Sequence, residues 1–256
     1  MKDKESNRLF VGKCIYCRSA REPLQDEHII PYGLEGKLIL LKASCKECAD
    51  ITSRFEREVL RGPLLPIRAE LGFSTYHKKN RPTLFPLLIE RGGKKETLMV
   101  PIEEYFSAVI LPEFKLPEDI DERPHEKGIA FIATSMGYAG KKPIKELARK
   151  YNATSFFAKA TYTHAFPRFL AKMAYGFAVA KVGLNKMQKI YVLPAILGKS
   201  EDIGRWVGCS HFNEHRTPGR FMHSLRLSLV NNKIWVYVRL FEKFNMPEYL
   251  VIVGTV

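Results

Sequence analysis

The sequence predicts an α+β protein in which a small N-terminal module, residues 1–72, precedes a larger α+β domain, residues 73–256. Three observations support this fold class. Two Cys-x-x-Cys pairs bracket a strand-like segment near the N-terminus, the stretch AFPRFLAKMAYGFAVAKVG has helical periodicity, and the C-terminal stretch alternates strand-like runs with turn residues. This order of segments indicates a mixed structure that ends in an antiparallel meander.

The composition is that of a globular protein with an excess of positive charge. Hydrophobic residues make up 46% of the chain and charged residues 27%, and 41 Lys and Arg face 27 Asp and Glu, for a net charge of +14. No apolar run approaches the about 20 residues of a membrane-spanning helix, and the first ten residues lack the apolar core of a signal peptide. We therefore expect a soluble, cytoplasmic protein without membrane contact, whose partner is a polyanion such as nucleic acid.

Four of the five cysteines form two Cys-x-x-Cys pairs, Cys14 with Cys17 and Cys45 with Cys48. Two residues between thiols let both sulfurs reach one tetrahedral Zn²⁺, so the pairs predict a structural zinc site with four thiolates. A disulfide framework is the alternative, but a reducing cytosol disfavours it. A site closed by four protein ligands leaves no position for water, so this zinc would act as a scaffold.

The sequence from the segment between the two pairs to the residues after the second pair predicts a strand, a loop, a strand and a helix. The stretch QDEHIIPYGL is an extended segment that ends at Pro31 and Gly33, and KLILLKAS is a short apolar strand. The stretch CKECADITSRFEREVLRG predicts a helix in which Ile51, Phe55 and Val59 form one apolar face. The module is therefore pinned by cysteines at both of its ends.

This combination resembles the HNH endonucleases, whose nuclease core is a ββα-metal fold. The resemblance covers residues 14 to about 72, where Cys-x-x-Cys, DEHIIP, a glycine-containing loop and a second Cys-x-x-Cys at a helix start follow one another. It looks closest to the subgroup with EHIIP. The resemblance implies a metal-dependent endonuclease that hydrolyses phosphodiester bonds in double-stranded DNA, and cutting both strands would favour a homodimer.

By this resemblance, His28 would be the general base and Glu27 a ligand of a catalytic Mg²⁺ or Mn²⁺. Histidine has an ordinary pKa near 6.5 and can therefore accept a proton at neutral pH, and Mg²⁺ prefers oxygen ligands. Because neighbouring residues of a strand point to opposite faces, we expect a local kink that brings both side chains to one site.

The helix departs from the usual HNH pattern. Many HNH proteins place Asn or His directly after the last cysteine, where this chain has Ala49, and Ser53 follows four residues later. Neither is a good Mg²⁺ ligand. Glu56, two helical turns after Ala49, and Asp50 are the carboxylates that the helix could offer instead, and we favour Glu56.

Positive charge is concentrated after the cysteine module. Residues 61–95 carry eight basic and two acidic side chains, and include a predicted basic hairpin in which LFPLLIE and ETLMVP flank ERGGKK. We expect nucleic acid to contact basic residues of the predicted helix and of the segment that follows it. These are Arg54, Arg57, Arg61, Arg68, Lys78, Lys79 and Arg81.

Two later stretches bear on the architecture of the larger domain. Residues 165–183 predict a helix whose aromatic and aliphatic stripe lies in the core, with Arg168, Lys172 and Lys181 facing elsewhere. The proline- and acid-rich residues 111–128 predict a linker or long loop.

Two other functions remain open. The zinc could shape a basic surface that binds nucleic acid without cleaving it, and the altered metal site would then be inert. Alternatively, the basic face could dock an acidic protein partner. Loss of activity on replacing His28 would favour the nuclease, and binding insensitive to nucleic-acid competitors would favour the protein partner.

Overall fold

The computed structural model describes residues 7–75, 81–121, 124, 127–210 and 217–256. These residues form a mixed α+β structure, which confirms the predicted class. The helices are α1 (Lys46–Arg61), α2 (Leu65–Glu70), α3 (Glu118–Asp121), α4 (Ile144–Tyr151), α5 (Ala165–Val182) and α6 (Leu193–Ile196). The strands are β1 (Arg8–Phe10), β2 (Leu24–His28), β3 (Ile39–Cys45), β4 (Leu84–Arg91), β5 (Lys94–Pro101), β6 (Ala108–Phe114), β7 (Phe131–Tyr138), β8 (Ser155–Phe157), β9 (Val207–Cys209), β10 (His223–Val230), β11 (Lys233–Leu240) and β12 (Glu248–Thr255).

The N-terminal sheet has the strand order β1-β3-β2. Strand β1 runs parallel to β3, and β2 runs antiparallel to it, with a shift in register between Gln25 and Glu27. Strand β3 leads directly into α1, because Cys45 is both its last residue and the residue that precedes the helix. The second cysteine pair and the segment with Glu27 are therefore fixed on one small sheet and one helix, and the first pair lies in the loop between β1 and β2.

Helix α1 has the apolar face that the sequence predicts. Phe55 and Val59 are buried and Ile51 is half-buried, while the positions between Phe55 and Val59 carry charged side chains. The helix ends at Arg61, and Gly62 follows it. Helix α1 packs against α5, which lies more than 100 residues later in the chain.

Helix α5 is the centre of the fold. Its residues 165–179 are buried except for Arg168, and the helix packs against α1 on one side and against β11 and β12 on another. The expectation that Lys172 faces away from the core is wrong, since its side chain is buried. A helix covered on several sides leaves no solvent-facing stripe at this position, so a lysine here needs anionic partners.

A four-stranded antiparallel sheet with the order β10-β11-β12-β9 packs on α5. Strand β11 alternates between buried and half-buried residues, as expected for a strand with one face on the core. Asn231 and Asn232 form the turn between β10 and β11, and both have a positive φ, which asparagine tolerates better than most residues.

The remaining strands form two smaller sheets, with the order β5-β4-β8 and the pair β6-β7. The predicted basic hairpin is confirmed, since β4 and β5 pair antiparallel around Gly92 and Gly93, both with positive φ. The predicted linker is wrong for residues 111–114. They belong to β6 because Leu111 and Phe114 are buried in the main core.

One hydrophobic core joins the two sides of the predicted boundary at residue 72. Phe55 and Ile67 come from the N-terminal side, and Phe169, Val236 and Tyr249 from the other. Within the described ranges, no helix has the length and apolar character needed to cross a membrane. The site described next is thus held from two parts of the chain that are distant in sequence.

Candidate functional site

The four paired cysteines meet in one cluster. The sulfurs of Cys14, Cys17, Cys45 and Cys48 all lie within 4.8 Å of one another, and the Cys17 and Cys45 sulfurs are 3.6 Å apart. The four thiols are free, and all but Cys17 are buried. Cys14 and Cys17 come from a tight turn, closed by the Arg18 N–H donating to the Cys14 carbonyl at 2.9 Å.

This cluster could hold a metal ion, and its chemistry fits zinc. Four sulfurs placed about 2.3 Å from a central Zn²⁺ lie about 3.8 Å from each other, which is close to the observed spacing. Because Cys45 ends β3 and Cys48 lies in the first turn of α1, a bound ion would lock the strand–helix junction. All four positions of a tetrahedron would be taken by protein, so a zinc ion here would act as a scaffold and would leave no position for water.

A cleft of about 420 Å³ opens beside this junction. Its walls are the end of β2 and the loop after it, one face of α1, helix α2, residues 73–75 and 81–82, and Lys172 of α5. Glu27 and His28 both line it, although they are neighbours on one strand. The expected convergence of these two side chains is therefore observed.

The ladder between β2 and β3 shifts in register just before Glu27. Gln25 lies opposite Ser44, but Glu27 lies opposite Leu40, so the ladder is interrupted at Asp26. The backbone N–H of Lys42 donates to Asp26 Oδ1 at 3.1 Å, and Lys42 has a φ of 52°. The extra residues of this bulge lie in β3, and Glu27 and His28 pair in regular order with Leu40 and Ile39. The shift therefore precedes both residues, and His28 lies in the cleft as the last residue of β2.

His28 is half-buried at the edge of the cleft, with the ring of Tyr32 6.0 Å away in an edge-on arrangement. Burial lowers the pKa of His28, and the nearby Lys172 charge lowers it further, while Glu27 and Asp26 oppose the shift. The imidazole is therefore neutral at neutral pH. A neutral imidazole that faces a cleft can accept a proton from water.

Behind His28, one buried ammonium joins two carboxylates. Lys172 Nζ lies 2.5 Å from Glu27 Oε1 and 2.7 Å from Glu56 Oε1, and it donates to the His28 carbonyl at 2.6 Å. Lys172 is 1% exposed and Glu27 is 8% exposed. Both contacts with carboxylates are therefore buried ion pairs.

The charges in this cluster favour an ionised lysine. Burial alone would lower the pKa of Lys172, but Glu27 and Glu56 outweigh it and raise the pKa above its ordinary value. Burial and the Glu27 charge raise the pKa of Glu56, with Lys172 opposing. Two carboxylates that share one ammonium leave an excess of negative charge, and burial together with this excess also raises the pKa of the Tyr16 hydroxyl.

The expected catalytic Mg²⁺ or Mn²⁺ does not fit this arrangement. Mg²⁺ requires carboxylate oxygens that it can approach to about 2.1 Å, whereas Glu27 and Glu56 both face the Lys172 ammonium. Asp50, the other candidate from α1, is exposed, pairs with Lys46 at 2.7 Å, and does not line the cleft. The structure thus brings Glu56 to Glu27, as favoured, but with a lysine between them.

Three of the arginines expected to bind nucleic acid line the cleft with exposed side chains. These are Arg57 and Arg61 on α1, and Arg81. Within the part of the chain that the structure describes, neither Arg57 nor Arg61 makes an ion pair. Arg54 is exposed on α1 outside the cleft, and Lys78 and Lys79 lie outside the described residues.

Arg68 also reaches the cleft, but its guanidinium is engaged by the backbone. It donates to the carbonyls of Gly33 and Leu60, each at 2.7 Å, and to that of Ser74 at 3.3 Å. A Cβ on Gly33 would lie 2.7 Å from Arg68 Nη2, so only glycine leaves room for this contact. Arg68 therefore ties the loop after β2, the end of α1 and the segment after α2 into one wall.

Lys172 is the site residue that sequence reasoning missed. The sequence predicts a polar side for its helix, and a lysine on such a side does not indicate a buried site. The available signal was that Lys172 stands between Ala171 and Met173 in a run of apolar residues, where a lone charge needs a buried partner. The roles assigned to His28, Glu27, Glu56 and the cleft arginines stay predictions.

Comparison of the chain with protein-family models, with curated proteins and with solved structures gave no match in any of the three. The geometry of the cleft is therefore the basis on which a function can be proposed.

Proposed function

We propose that this protein is an endonuclease that hydrolyses phosphodiester bonds in DNA, with His28 as its general base. One observation carries the proposal: a histidine whose pKa is lowered opens on a cleft that is lined by Arg57, Arg61 and Arg81. A phosphodiester needs both features, a base that activates water and cations that hold its charged oxygens.

The reaction follows from these groups. An imidazole nitrogen of His28 accepts a proton from a water molecule, and the water oxygen forms a bond to phosphorus. The bond to the leaving oxygen breaks, that oxygen takes up a proton from solvent water, and His28 then releases its proton to solvent. The guanidinium groups of Arg57 and Arg61 offset the negative charge that develops on the phosphoryl oxygens. No step passes through a divalent metal, because Glu27 and Glu56 do not fit one.

The cysteine cluster supports this chemistry as a structural zinc site. Zinc bound by Cys14, Cys17, Cys45 and Cys48 would fix the start of α1 against β3. That junction sets the position of Glu56 and Arg57 relative to His28, since β2 pairs with β3. The zinc therefore shapes the cleft without touching the substrate.

A second candidate function is nucleic-acid binding without cleavage. The specific observation in its favour is Lys172, which fills the space between the two carboxylates where a catalytic metal was expected. The exposed arginines would then be the functional part of the cleft, and His28 would have no catalytic role.

Incubation of supercoiled plasmid with the zinc-loaded protein tests the proposal, and single-stranded DNA and RNA of defined length are run beside it. His28→Ala is expected to lose at least about a hundredfold of the cleavage rate while keeping its zinc content and DNA affinity. His164→Ala is the matched control, because His164 is exposed and lies outside the cleft.

Three results would contradict or redirect the proposal. Equal cleavage by wild type and His28→Ala would show that His28 is not the general base. DNA binding without cleavage by a folded wild type would favour the second candidate. Cleavage of RNA alone would keep His28 as the base and change the substrate class.

A further inference from the structure

Lys172 occupies a cation site made of three oxygens. Its ammonium has three N–H donors, and the oxygens of Glu27, Glu56 and the His28 backbone surround it at 2.5, 2.7 and 2.6 Å. Among the lysines and arginines in the described ranges, Lys172 alone is fully buried. A fully buried cation is therefore found, among these residues, only between Glu27 and Glu56.

The charges at this point would suit a divalent cation if the lysine were absent. Two carboxylates from different elements, β2 and α1, converge with a backbone carbonyl, and oxygen donors of this kind are the usual ligands of Mg²⁺ and Mn²⁺. With the ammonium in place, a second cation would have to displace it or lie next to a like charge. The lysine and the metal therefore compete for the same oxygens.

We propose that Lys172 is a built-in cation that replaces a divalent metal between Glu27 and Glu56, so that the cleft works without Mg²⁺ or Mn²⁺. Lys172 is a positioning residue in this arrangement. It holds the Glu27 carboxylate and the His28 carbonyl from inside the protein, and it thereby fixes the backbone that presents the His28 imidazole to the cleft. The part of this proposal that concerns cleavage rests on the proposed nuclease function, and the part that concerns cation binding does not.

Titration with Mn²⁺, followed by electron paramagnetic resonance and calorimetry, tests cation binding without any need for activity. Wild-type protein with its zinc bound is expected to take up no Mn²⁺ in the cleft. Lys172→Met keeps the length of the side chain and removes the charge, and it is expected to bind Mn²⁺ at least about tenfold more tightly. Lys172→Arg, which keeps a cation, should not gain this binding.

A second variant distinguishes the cleft from the protein surface. Lys172→Met combined with Glu56→Gln lacks one of the two carboxylates and is expected to lose the gained Mn²⁺ site. If Lys172→Met does not fold, Mn²⁺ binding by the wild-type protein still tests the proposal. Uptake of one Mn²⁺ by wild-type protein that disappears in Glu27→Gln would overturn the proposal, and the lack of such uptake would support it.

A cleavage assay is the second test of the proposal. Wild-type activity is expected to persist in a chelator that leaves the zinc bound, with zinc content measured in the same sample. Strict dependence on added Mg²⁺ or Mn²⁺ would overturn the proposal. If no substrate is cleaved under any condition, the nuclease function fails, and the Mn²⁺ titration alone decides whether Lys172 takes the place of the metal.

Discussion

The ammonium of Lys172 lies 2.5 Å from a carboxylate oxygen of Glu27, so α5 and β2 meet through a buried ion pair. Glu56 on α1 joins the same ammonium at 2.7 Å. Three elements from distant parts of the sequence therefore share one charged contact next to the cleft. Removing one partner of such a pair leaves an uncompensated buried charge, which costs more than the pair itself contributes.

Lys172→Met is therefore expected to lower the free energy of unfolding by about 3 kcal/mol. The methionine fills the space but leaves Glu27 and Glu56 side by side without a cation. Urea unfolding of zinc-loaded protein measures the loss. Adding Glu56→Gln should recover part of the lost stability by removing one of the two negative charges. If Lys172→Met alone is as stable as wild type, the ion pair between Lys172 and Glu27 does not form in solution.

Arg68→Lys is expected to destabilise the protein by about 2 kcal/mol, although it keeps the charge. The guanidinium of Arg68 donates to three carbonyls at once, and a lysine cannot span them. Thermal or urea unfolding checks the loss. Arg54→Lys is the matched control on exposed helix surface, and equal stability of both variants would mean that Arg68 does not brace the cleft wall.

Arg57→Ala and Arg61→Ala are each expected to weaken DNA binding and to reduce its salt dependence. For each phosphate that the variant no longer neutralises, the slope of the logarithm of affinity against the logarithm of salt concentration should decrease in magnitude by about 0.9. Fluorescence anisotropy on a short duplex, in a His28→Ala background that does not cut it, gives this slope. Arg54→Ala, outside the cleft, should leave the slope unchanged, and an equal effect there would argue for diffuse binding to the whole basic surface.

One zinc ion per chain is expected by native mass spectrometry, and Cys48→Ser should lose it. Binding of zinc to four thiolates contributes directly to folding, so the variant should unfold at a lower temperature. Cys209→Ser is the matched control, because Cys209 is a buried thiol away from the cluster that accepts the Phe114 N–H at 3.3 Å. Retention of zinc by Cys48→Ser would contradict a four-thiolate site.

The parts of the site that are local in sequence could be predicted. Cysteine spacing indicated the cluster, and apolar periodicity indicated α1, because both depend on neighbours within a few residues. The sequence predicts that Glu27 and His28 share one site, but not the register shift at Asp26, which depends on how β3 pairs. Pairing of this kind is a long-range property that periodicity does not report.

The contacts of Lys172 and Arg68 could not be predicted for the same physical reason. Periodicity separates a buried from an exposed face only when a helix has one exposed face, and α5 is covered on several sides. A guanidinium that bonds backbone carbonyls has the same sequence signature as one that faces solvent. Which of the two applies is decided by the loop after β2, which approaches Arg68 through Gly33.

A final prediction concerns acid stability and His223. The ring of His223 packs edge-on against Phe73 and Phe241, and its Nδ1 accepts the backbone N–H of Phe241 at 3.1 Å. Burial lowers the pKa of His223 to about 4, with a contact to the Leu34 backbone opposing the shift. A protonated Nδ1 would face an N–H donor, so the neutral form is the one that the fold accepts.

The direction in which stability changes with pH follows from proton binding at His223. Between the ordinary histidine pKa of about 6.5 and the folded value of about 4, the unfolded chain binds a proton at His223 that the folded chain does not. Stability is therefore expected to fall as the pH drops from about 6.5 to about 4, by about 2 kcal/mol for this partly accessible ring. His223→Asn can keep an acceptor near the Phe241 N–H but does not titrate, so its unfolding free energy should fall less over this range. Acid also weakens zinc binding, so the quantity to compare is the difference in unfolding free energy between wild type and His223→Asn. If both proteins lose the same stability, the acid sensitivity comes from the cysteine cluster.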